Sequence, residues 1–173
     1  MTTDAPEKLL AIAPVSRGIG YALFERVDLL VDWGTKEARR VADKNAHCLL
    51  FVERLIRLHG PTELALADWS DPKSRRSTRI KELLRRSAEL ASAKGVIVRA
   101  HRRADVVATF TGQGARTKHD IARVIARLHP ELAPRLPRRR KPWQSEPAQM
   151  AIFEAVALAV AHQSLSDRPA LAA

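Results

Sequence analysis

The sequence predicts an α/β domain built on a five-stranded mixed sheet, its first three strands antiparallel, with helices on both faces. Three observations carry this expectation. The chain opens on two apolar runs, Leu9–Ala13 and Ile19–Phe24, joined through Pro14-Val15-Ser16-Arg17-Gly18, which reads as a β-hairpin. Strand-length and helix-length patterns then alternate to the end of the chain. Finally, residues 150–161, MAIFEAVALAVA, are apolar all round except for Glu154, and a helix of that kind is buried.

Taken in order, the hairpin turn has the punctuation a tight reversal needs. Pro14 cannot donate to a strand ladder and Gly18 tolerates positive φ. The turn, with Ser16 and Arg17, is either a solvated reversal or a place where a phosphate approaches the backbone. Val27–Gly34 reads as the third strand. Lys36–Leu58 reads as a helix, with Ala38, Val41, Cys48, Val52, Leu55 and Ile56 on one stripe. Gly60-Pro61 ends it. Glu63–Asp68 is a short strand expected beside the first. A basic loop, SDPKSRR at 70–76, leads to an amphipathic helix over Ser74–Lys94. Its inner face is Ile80, Leu83, Leu84 and Leu90, and Arg75, Arg79, Arg85 and Arg86 project on the other side. Gly95 stops this helix and Val96–Val98 forms the fifth strand.

Residues 111–118, TGQGARTK, run into a helix with Ile121, Val124, Ile125 and Leu128 on its apolar face and Thr117 as N-cap. Free N–H groups at such a start hold an anion, although a GxG before a helix is also a common plain loop. Residues 134–147 form a proline-broken basic connector. Arg138, Arg139, Arg140 and Lys141 followed by Trp143 combine phosphate-neutralising charge with a ring able to stack on a base. The other reading is a solvated linker with Trp143 folded onto the domain. The last helix is expected over Glu146–Ser164, capped near Ser145. Its lone Glu154 must be protonated, paired with a cation or bound to a metal to be stable there.

Composition bounds the rest. The chain of 173 residues suits one domain, expected over 9–165 with tails at 1–8 and 166–173. No apolar run is of membrane-crossing length and the first residues lack a signal-peptide pattern, so the expectation is a cytoplasmic protein without membrane contact. Cys48 is the one cysteine, which excludes an internal disulfide and a cysteine-based zinc site. Thirty Lys and Arg against nineteen Asp and Glu give a net charge of +11, which suits a polyanionic partner such as nucleic acid.

The segment Ile12-Ala13-Pro14-Val15-Ser16-Arg17-Gly18-Ile19-Gly20-Tyr21-Ala22 resembles the first strand pair of Holliday-junction resolvases of the RuvC type, where the pattern is I-D-P-x-S/T-R-G-x-G-Y/F-A. Residues 111–118 resemble that family's T-G-x-G-x-A-x-K segment, Lys141-Pro142-Trp143 its K-P-W stretch, and residues 150–159 its M-A-I-F-D-A-V-A-L-A helix. The resemblance runs from residue 9 to about 162 and implies a ribonuclease H-like fold. It also implies nuclease chemistry on two Mg²⁺ ions about 4 Å apart. The acid positions depart from that pattern. Ala13 stands for the bridging aspartate, Ala67 for the fourth-strand glutamate with Asp68 the nearest acid, and Glu154 for the last aspartate. An alanine methyl offers magnesium no oxygen. Natural decay and deliberate substitution would both give this pattern.

The expectation is therefore a binder of branched or structured DNA, catalytically inactive or crippled, with no cofactor unless Mg²⁺ serves residual activity through Glu154 and Asp68. The contact residues expected are Ser16, Arg17, Arg75, Arg76, Arg79, Arg138, Arg139, Arg140, Lys141 and Trp143. Gly112, Gly114 and Lys118 are added by the resemblance. A homodimer is compatible with this reading. The alternatives are an active Mg²⁺-dependent junction endonuclease and a structural component of a nucleoprotein assembly.

Overall fold

The computed structural model describes residues 7–166; both expected tails lie almost wholly outside the described residues. β1 (Lys8–Val15), β2 (Gly18–Glu25) and β3 (Leu30–Glu37) are followed by α1 (Lys44–His59), β4 (Glu63–Ala67), α2 (Thr78–Ala93) and β5 (Ile97–His101). The chain then continues as α3 (Arg103–Thr111), α4 (Lys118–Leu128), a short 3₁₀ helix at Pro130–Arg135, and α5 (Met150–Ser166). The sheet order is β3-β2-β1-β4-β5. β1, β2 and β3 pair antiparallel, and β4 runs parallel to β1 and to β5. The expected α/β class, with helices on both faces, is the observed one.

Alternation along the strands sorts the core into two layers. Leu10 and Ile12 of β1 join Leu64, Leu66, Val52, Leu83 and Leu84 under α1 and α2. Leu9, Ala11 and Ala13 face the other way, with Ala22, Ala65, Phe153 and Val156, under α4 and α5. The side chains facing α5 are small, and that lets the helix come close. At Gly20 a Cβ would sit 2.4 Å from the Ala151 backbone, so α5 lies directly on the hairpin. At Gly18 it would meet the Lys36 carbonyl at 2.0 Å. Each fully buried Leu, Ile or Phe in these layers contributes about 1.5–3 kcal/mol.

Several boundaries differ from those the sequence predicts, each for a local reason. β3 is Leu30–Glu37 rather than 27–34, because Arg26 and Asp28 take φ of 60° and 71° in the reversal before it. Lys36 and Glu37 pair with Ile19 and Gly18 instead of opening α1. The Ala38 amide then donates to the Arg17 carbonyl, and Arg40 at φ 56° bars an early helix. α1 starts only at Lys44, where the Asp43 carboxylate accepts from the Ala46 amide. Ser77 caps α2 in the same way, so its start moves to Thr78. β5 extends to His101, and α3 and the 3₁₀ turn occupy stretches for which the pattern predicts no element. α5 begins at Met150, later than Glu146. No described helix is long and apolar enough to cross a membrane.

Candidate nucleic-acid interface

The site lies where β1, β4 and β5 end beneath α5. Ala11 pairs with Ala65, which brings Ala13 and Ala67, two residues on, to one level of the sheet, and Ala67 pairs with His101. All three side chains share the α5 face by alternation. Ala13 and Ala67 are buried, 4% and 5% exposed, and present only methyl groups.

Glu154 descends from α5 into this corner, its side chain 15% exposed. The Lys118 ammonium lies against its carboxylate and stands 3.3 Å from both oxygens of Glu146. Glu154 Oε1 makes no aligned hydrogen bond, so this contact is one of charge with charge. Lys118 is the first residue of α4 and is fixed there by a reciprocal cap. The Thr117 hydroxyl accepts from the Asp120 amide, and the Asp120 carboxylate accepts from the Thr117 amide. The Thr117 hydroxyl and the Thr117 and Arg116 amides hold the Asp120 carboxyl below its usual range. Of the states expected for Glu154, the structure shows the ion pair.

Three clefts meet at Lys118. One is lined by Ser16, Arg17, Arg76 and Glu146, a second by His119, Arg138, Arg139 and Arg140. The third is mostly apolar and holds Ala67, His101, Arg103, Val106, Phe153 and Glu154. Seven of the sequence-predicted contact residues (Ser16, Arg17, Arg76, Lys118 and Arg138–Arg140) therefore line one continuous region. The others are placed differently. Arg79 turns inward, donating to Asn45 Oδ1 at 3.0 Å and to the Val15 and Ser16 carbonyls at 3.4 Å, so it fastens the hairpin turn. Arg75 is exposed and lines none of these clefts. Gly112 and Gly114 have open space where a Cβ would stand, and Gly114, at φ 75°, borders a separate hollow beside Arg123 and Arg127. Lys141 lies 5.3 Å from the Trp143 ring centroid, and Trp143 is 77% exposed rather than folded onto the domain. Arg140 and Lys141 brace this tip through the Gln144 carbonyl and Gln144 Oε1. On α2, Arg85 is tied to Glu82 and Glu89, which neutralises part of the basic face.

Asp68 follows the end of β4. Its register neighbour Ala67 pairs regularly with His101, so the bulge needed to turn Asp68 inward is not there. Its carboxylate accepts from the Ser70 amide and hydroxyl at 2.9 and 2.6 Å. The donor set does not fit Mg²⁺. Two positions carry methyls, the two nearby carboxylates hold an ammonium, and that ammonium repels a cation. Among the described residues no cluster of three or more His, Cys, Asp and Glu is arranged to hold a metal ion.

One group of residues escapes sequence reasoning. His101 Nε2 lies 3.2 Å from His162 Nδ1, and His162 Nε2 contacts the Glu63 carboxylate. Burial first, then the neighbouring His162, holds the His101 pKa below the ordinary histidine value. Read along the chain the six histidines look scattered, since only strand register and the phase of α5 bring 63, 101 and 162 together.

No protein-family model matches the chain, and no curated protein matches it by sequence. Solved structures do. Thermus thermophilus RuvC superposes with a TM-score of 0.65 at 14% identity, over 92% of this chain and 95% of that one. T. thermophilus RuvC in complex with a Holliday junction substrate gives 0.64 at 13% identity, over 92% and 94%. The chain thus has the ribonuclease H-like fold. More narrowly, its fold matches that of these RuvC structures, as the hairpin and the later segments imply.

Proposed function

We propose that the protein binds branched or otherwise structured DNA through the clefts around Lys118, and that it has given up metal-dependent cleavage. The observation that carries this reading is Lys118 itself, its ammonium set against Glu154 and Glu146 where Ala13 and Ala67 leave no oxygen ligand. A fixed cation there balances the remaining carboxylate. Arg17, Arg76 and Arg138–Arg140 on the flanking walls supply charge for a strand's phosphates. The exposed Trp143 adds a stacking surface. That RuvC has been solved on a Holliday junction supports a branched substrate.

Binding of a four-way junction and of a matching duplex, followed across several salt concentrations, tests the proposal. The expected result is tighter junction binding, with affinity falling steeply as salt rises. A flat salt response, or equal binding of both DNAs, refutes it.

A further inference from the structure

The basic surface is interrupted at its centre. The cleft along the hairpin turn draws positive charge from Arg17 and Arg76, and the cleft along the connector from Arg138, Arg139 and Arg140. Lys118 and Glu146 line both, so they stand where the two clefts meet. The Lys118 ammonium lies against Glu154 and is 3.3 Å from both oxygens of Glu146. One cation thus faces two carboxylates. Its charge is spent on them, and the group as a whole stays negative. Of the two acids Glu146 is the more accessible, 30% exposed against 15% for Glu154. Glu146 is therefore the acid that an incoming ligand meets between the two sets of arginines.

A duplex backbone carries about one charge per 1.7 Å of axis, without gaps. Laid across both clefts, it sets phosphates over Glu146, and like charges brought that close repel. At a branch point the strands part. One backbone then enters each cleft from a different arm, and no phosphate needs to lie over the carboxylate. We propose that Glu146 is a specificity-determining residue, its charge dividing the two arginine-lined clefts so that continuous duplex is disfavoured and diverging backbones are accepted. This rests on the phosphate-binding reading above, with the flanking arginines as the phosphate ligands.

Glu146→Gln removes the charge and keeps the shape. The test measures the affinity of wild type and variant for a four-way junction and for a duplex long enough to cross both clefts, at one moderate salt concentration. The variant should bind the duplex about three- to ten-fold tighter and the junction less than about two-fold tighter, the scale of one partly exposed charge contact. Glu146→Asp, which keeps the charge, should retain the wild-type discrimination. An unchanged duplex affinity in Glu146→Gln, an equal gain for both DNAs, or lost discrimination in Glu146→Asp overturns the inference and leaves the phosphate-binding reading standing. Wild type that binds neither DNA, or both equally, overturns that reading and the inference with it.

Discussion

Replacing Lys118 with methionine removes the ammonium while keeping most of the apolar stem. Glu154, 15% exposed, then loses its countercharge, whereas Glu146, 30% exposed, can turn toward water. Breaking a fully buried pair costs about 3–5 kcal/mol. Lys118 is itself 40% exposed, so solvent screening removes roughly half of that and leaves about 2 kcal/mol. For a domain of this size the loss corresponds to a melting temperature lower by about 4–8 °C. Glu154→Gln leaves Lys118 with Glu146 and should cost less, about 1 kcal/mol. The double variant should cost less than the two singles combined, by about 1–2 kcal/mol, because the second change removes the charge that the first left stranded. Urea unfolding gives these values as midpoint shifts at constant slope. If Lys118→Met lies within about 0.5 kcal/mol of wild type, or the two changes simply add, Glu154 does not depend on that ammonium and the reasoning fails.

Tyr21 is the one tyrosine of the chain, so its ionisation can be followed directly by ultraviolet absorbance. Burial, together with the charge of Asp32 and the hydrogen bond to it, raises its pKa to about 12. Its stabilising contribution is present below the unfolded value near 10 and is lost as pH rises through 12; Asp32→Asn should lower the midpoint, and an unperturbed titration in wild type would refute the network. For His101 the sign is reversed. Its lowered pKa means that stability is full above the ordinary histidine value near 6.5 and falls as pH drops below it. His101→Phe should flatten that acid limb of the stability curve. Gly20→Ala should cost more than about 3 kcal/mol, since its methyl would enter the Ala151 backbone at 2.4 Å; an unchanged unfolding midpoint would contradict the close seating of α5.

The fold was legible because its signals are local. The Pro14–Gly18 turn, the stripe of α1 and the apolar run of α5 each announce their element within a dozen or so residues. Helix starts were less legible, because the early residues of the predicted α1 are helix-compatible until β3 claims Lys36 and Glu37 by pairing. Charge nominates the basic connector, and the tight turn beside Ser16 and Arg17 nominates the hairpin, yet charge could not tell Arg76, which lines a cleft, from Arg79, which fastens a turn. The need of Glu154 for a partner followed from its apolar helix. That the partner would be Lys118 depends on how α4 docks on α5, which no local pattern reveals. The Glu63–His162–His101 chain required register across β4, β5 and α5 at once.

The central claim is that Lys118 serves here in place of a metal, and that the clefts around it bind phosphates without cutting them. Incubating an end-labelled four-way junction with the protein in EDTA, and separately in millimolar Mg²⁺ or Mn²⁺ at matched ionic strength, tests it most directly. The expected result is binding in the metal-free buffer and an intact junction in every buffer. Metal-dependent cleavage that Glu154→Ala abolishes would contradict it.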